Sequence, residues 1–62
     1  MNTDKQFYAI QAAAILRIGQ MAEHDRKPAK IQAIKKLNML YSAVLINLKE
    51  YRQLLNLVFS IQ

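Results

Sequence analysis

The stretch IKKLNMLYSAVLINLKEYRQLLNLV, Ile34 to Val58, decides the architecture expected of this chain. Apolar side chains recur at Ile34, Leu37, Tyr41, Val44, Leu48, Tyr51, Leu55 and Val58, in alternating steps of three and four residues without a miss. That spacing is a heptad seam, one stripe of a helix that faces another helix. A second apolar stripe runs through Met39, Ala43, Ile46, Leu54, Leu57 and Ile61. A narrow polar strip of Lys35, Asn38, Ser42, Lys49, Gln53, Asn56 and Ser60 separates the two. A helix apolar on two sides is buried on two sides.

Upstream, Thr3 followed by Gln6 just ahead of Phe7 has the spacing of a capping box, and Asp4 adds negative charge where a helix dipole favours it. Phe7, Ile10, Ala14, Ile18 and Met21 then share one face, widened by Tyr8, Ile15 and Ala22, with Leu16 pointing away. Gln11 interrupts this face, either as a register-fixing amide or as the ragged edge of an interface. Gly19 lies inside the periodic run, where glycine costs about 1 kcal/mol against alanine and is tolerated when another helix approaches closely. Pro28 disfavours a helical Lys27 and suits the first turn of a new helix, so the link is expected at His24, Asp25, Arg26 and Lys27.

From Pro28 to Gln62 there is neither glycine nor proline. The expected fold is all-α: a helical hairpin with helix one over about residues 4–23, a turn at about 24–27 and helix two over about 28–60. A break near residues 46–49 that creates a third helix is the main competitor. Helix two would span roughly 45–50 Å and helix one about 30 Å, which leaves Tyr51, Leu55, Val58 and Phe59 without cover from their own chain. A homodimer with the character of a four-helix bundle resolves this, its interface drawn from Ile34, Leu37, Tyr41, Val44, Leu48, Tyr51, Leu55, Val58 and Phe59.

Size points the same way. A 62-residue chain rarely draws more than about 3–5 kcal/mol from a core of its own, and with no cysteine it has no disulfide or thiolate metal site to add. The lack of cysteine fits a reducing, cytoplasmic setting. Asp4 and Lys5 ahead of an alanine-rich run do not read as a signal peptide, and the longest weakly polar run, Leu37 to Leu48, is too short to span a membrane.

Catalytic chemistry finds no constellation. His24 and Asp25 are neighbours at the expected turn, where capping is the ordinary role, and no serine or threonine has an evident route to them. One histidine and four acidic residues assemble no metal cage, no glycine-rich loop is present, and no cofactor is expected. The three tyrosines read as packing residues. The net charge of +5 is concentrated at Arg26, Lys27, Lys30, Lys35 and Lys36, with no acidic residue between Arg26 and Lys49. These residues are candidates for gripping a phosphate or carboxylate at the start of helix two, against the plainer role of a solubilising end.

The reading that follows is a non-enzymatic interaction protein, an obligate homodimer that binds or inhibits a protein partner. The alternative is a small nucleic-acid-binding regulator that uses the basic turn. Its general plan is similar to the antiparallel hairpin dimers with which plasmids bind RNA pairs, without a shared residue motif.

Overall fold

Asn47 and Glu50 settle the course of the second half of the chain. In a computed structural model describing the backbone of residues 3–62 and the side chains of residues 6–62, these two residues close a capping box. The Glu50 amide donates to Asn47 Oδ1 at 2.8 Å, and the Asn47 amide donates to Glu50 Oε1 at 3.0 Å. Two orphan donors at a helix start are thereby satisfied. A new helix begins at Leu48. The described residues form three helices: α1 (Thr3–Ile18), α2 (Glu23–Ser42) and α3 (Leu48–Ser60).

The expectation of one continuous helix from Pro28 to residue 60 is therefore overturned. The stop signal before Asn47 is equally specific: the Leu45 amide donates to the Leu40 carbonyl at 2.9 Å, and the Val44 amide donates to the Tyr41 carbonyl at 3.0 Å. This pair of bonds is a Schellman closure, with Val44 at the position that glycine usually occupies, at φ 60°. A helix can end without glycine or proline if its last carbonyls find partners. The overhang expected to lack cover in its own chain folds back on α2 instead.

The first connection also differs from expectation. It spans residues 19–22, not 24–27, and Pro28 lies inside α2. The Gln20 and Met21 amides donate to the Arg17 and Ile18 carbonyls, both at 3.0 Å, which tightens the end of α1. Glu23 and Asp25 stand in the first turn of α2, where the dipole favours acidic side chains, so the helix starts before the proline. Pro28 forfeits a single backbone bond, to the carbonyl of exposed His24. Gly19 follows α1 immediately. It has no positive φ, and a Cβ there would meet only the Leu16 carbonyl oxygen at 3.4 Å, so no neighbouring helix requires it. The capping box expected at Thr3 rests on a side chain outside the described set.

α2 and α3 run antiparallel. Lys30 Nζ donates to the Ile61 carbonyl at 2.8 Å near one end, while Tyr51 donates its hydroxyl to Asn38 Oδ1 and stacks on Tyr41 near the other. The tyrosine rings are 4.7 Å apart at 11°. α3 packs against both other helices more extensively than α1 packs against α2. The buried apolar core is Ile15, Ile18, Leu37, Leu40, Ile46, Leu54 and Val58. It draws on both stripes of the original pattern: Leu37 and Val58 come from the heptad seam, Ile46 and Leu54 from the second stripe. No helix of the described residues is long and apolar enough to cross a membrane.

Candidate interaction surfaces

Folding the seam at residues 43–47 distributes its residues between the core and one outer face. At about 100° per residue, Ile31, Ile34, Asn38 and Tyr41 share one flank of α2, and Leu48, Arg52, Leu55 and Phe59 share one flank of α3. The residues of these helices that look toward α1 lie on the opposite flank: Ala29 and Ala33 on α2, Glu50 and Gln53 on α3. The two apolar flanks are therefore adjacent, on the side of the α2–α3 pair away from α1, joined where Tyr51 meets Asn38 and Tyr41. Ile34, Tyr51 and Leu55 are half-buried, whereas Ile31, Tyr41, Leu48 and Phe59 remain exposed, Phe59 by 66%.

Of the residues expected at a dimer interface, Leu37 and Val58 are 1% and 0% exposed within a single chain. Their partners are their own neighbours, and they offer nothing to a second copy. Val44 occupies the turn and is 83% exposed. Ile34, Tyr41, Leu48, Tyr51, Leu55 and Phe59 do come together on the outer face. Ile31 joins them and escaped the heptad count, although its three-residue step back from Ile34 was the available signal.

The basic residues are dispersed. Arg26 folds back, Nη1 donating to the Met21 carbonyl at 3.2 Å, with its Nε buried and unpartnered among the described residues. Lys30 is held by the Ile61 carbonyl. Lys27, Lys35 and Lys36 are exposed but spread over about 180° of the helix surface. The start of α2 carries Glu23 and Asp25, so the cluster does not surround the free amides of a helix terminus as the sequence implied.

A second surface had no counterpart in the sequence reading. Between α1 and α2, on the side away from α3, runs a groove of about 460 Å³ whose lining includes Ala14, Ile15, Ile18, Ala29, Ala33 and Leu37. Gln11, only 6% exposed, also lines it, as do Met39 and the two lysines Lys35 and Lys36. The available signal was the alanine pair 29 and 33, one helical turn apart on the flank of α2 opposite Ile31 and Ile34.

His24 and Asp25 form an exposed pair on the first turn of α2, Nε2 to Oδ1 at 3.5 Å. No group of three His, Asp or Glu side chains suited to a metal ion forms among the described residues. In comparisons with protein-family models, curated proteins and solved structures, the chain matches none.

Proposed function

We propose that this chain is a non-enzymatic interaction protein that pairs with a second copy through the outer face of α2 and α3, and that the pair binds or inhibits another protein. The carrying observation is that face: Ile31 and Phe59 exposed at one end and Tyr41 and Leu48 at the other of a half-buried row of Ile34, Tyr51 and Leu55. Contiguous apolar surface of this kind marks sites of association. A stable pair typically buries about 800 Å² per partner, which is roughly one-sixth of the 4665 Å² this chain exposes. The small core supplies the motive, because burying the face adds apolar area that a single chain has no means to cover. Each chain is a three-helix unit, and the proposed pair forms by contact of these faces without exchange of helices.

Analytical ultracentrifugation over a micromolar concentration series tests the pairing. A dimer is expected, and a Leu48→Lys, Phe59→Lys variant is expected to sediment as a folded monomer, since both positions are exposed in the protomer. A wild-type monomer throughout the series overturns the reading. Salt separates it from the nucleic-acid alternative. Lys27, Lys35 and Arg52 flank the apolar face, so added salt screens like charges across the pair and strengthens it, whereas binding through phosphates weakens steeply.

A further inference from the structure

We infer that the α1–α2 groove takes an acidic amphipathic helix of a partner protein. This deepens the proposed protein-binding role and rests on it. The groove is the open position of a four-helix arrangement: α1 and α2 meet least closely of the three pairs, and no residue of α3 lines it. Its floor is apolar and low, with half-buried Ala29 and Ala33 and, at the exposed mouth, Ala14 giving room for leucine-sized side chains spaced at i, i+3 or i+4, and i+7.

Two further features specify the occupant. Gln11, only 6% exposed, lines the groove and places a side-chain amide beside its apolar floor. An occupant that excludes solvent from the groove must bring a polar group to this amide to keep it paired. Lys35 and Lys36 are the only charged residues among those lining the groove, and no acidic side chain accompanies them. Charge complementarity therefore selects glutamate or aspartate beside the apolar stripe. A second copy is disfavoured, because the chain carries +5 and its outer apolar face is flanked by Lys27, Lys35 and Arg52. A nucleic acid would satisfy the lysines but leave the alanine and isoleucine floor uncovered.

The test uses the full chain and a synthetic 20-residue helical peptide with leucines on one face and glutamates on the other. A peptide with lysine in place of every glutamate serves as the control. Fluorescence anisotropy is expected to show saturable binding of the glutamate peptide and at least tenfold weaker binding of the lysine peptide. Ala14→Leu, which fills the exposed mouth of the groove, is expected to weaken binding about tenfold or more, and Lys36→Glu about fivefold. Amide chemical shifts should move at Gln11, Ala14 and Ala33, and not at Leu48 or Phe59. Equal binding of both peptides, unchanged binding by Ala14→Leu, or shifts confined to Leu48 and Phe59 would overturn the proposal. Sedimentation of the same samples keeps the two readings apart. If the wild type dimerises but binds no peptide, the groove proposal falls and the pairing stands. If Ala14→Leu abolishes the dimer, the groove is occupied by a second copy and the acidic-helix proposal falls.

Discussion

The two connections of this small bundle are built on opposite principles. The first, residues 19–22, has a glycine at its start and a proline six residues beyond its end, yet neither makes the turn: Gly19 has no positive φ, and Pro28 sits within α2. The second, residues 43–47, has no glycine or proline but uses a Schellman closure on one side and a capping box on the other. It also contributes buried Ile46 to the core, whereas Met21 in the first connection is 43% exposed. The lesson is that a breaker residue permits a turn, while satisfied backbone groups and a buried anchor determine where it falls.

Removing the anchor should cost the fold most. Ile46→Ala deletes a side chain that is 2% exposed, and such truncations cost about 2–4 kcal/mol. That is most of the roughly 3–5 kcal/mol expected of a domain this size. The variant should be largely unfolded in a urea titration followed by circular dichroism. Met21→Ala, the matching change in the first connection, should shift stability by less than about 0.5 kcal/mol. Comparable losses from the two would show that both turns are anchored alike.

A smaller effect comes from the caps. Asn47→Ala removes the acceptor for the Glu50 amide and should cost about 1 kcal/mol. At the start of α2 the cap position is Ala22, with an extended backbone and no side-chain bond. Ala22→Asp supplies the missing acceptor and should gain roughly 0.5–1 kcal/mol. Opposite signs for these two changes in thermal melts would confirm that one helix start is capped and the other is not. Matching signs would mean that the hydrogen bonds of residues 47 and 50 contribute little.

This asymmetry also explains what was legible beforehand. The three-and-four spacing from Ile34 to Val58 correctly marked helix on both sides of the turn, because the apolar period reports local amphipathicity whether or not the helix is continuous. It did not reveal the turn itself, since Leu48 happens to resume the same period after the break. The spacing of Asn47 and Glu50 is a clue to the competing break near residues 46–49 that the heptad count does not use, and the absence of glycine and proline speaks for a continuous helix. Pro28 misled in the reverse sense: its effect on Lys27 is a local bias, and Glu23 and Asp25 at the helix start prevail over it. The face of Ile34, Tyr41, Leu48 and Phe59 is partly legible in the heptad spacing. The groove is not, because its alanines carry little hydrophobic signal and it exists only where two helices meet.

The finest distinction concerns Val44, which adopts φ 60° although a β-branched residue in that region is strained by about 1–2 kcal/mol. Glycine relieves the strain but adds disorder to the unfolded chain, so Val44→Gly should stabilise the protomer by roughly 0.5 kcal/mol. Gly19→Ala should give a similar gain by restricting the unfolded chain, because its φ is not positive and its Cβ meets only ordinary contact. The two substitutions differ in what else they touch. Val44 is 83% exposed and lies in the turn between Tyr41 and Leu48, at the end of the proposed pairing face, so its strain is not offset by packing within the protomer. The backbone bonds of the Schellman closure hold the strained φ, while the exposed valine side chain is left for a partner to cover. Val44→Gly is therefore expected to raise the thermal midpoint at low protein concentration and to weaken self-association in sedimentation, while Gly19→Ala raises the midpoint and leaves association unchanged. If Val44→Gly also leaves association unchanged, the valine is not part of the interface, and the pairing face stops at Tyr41 and Leu48.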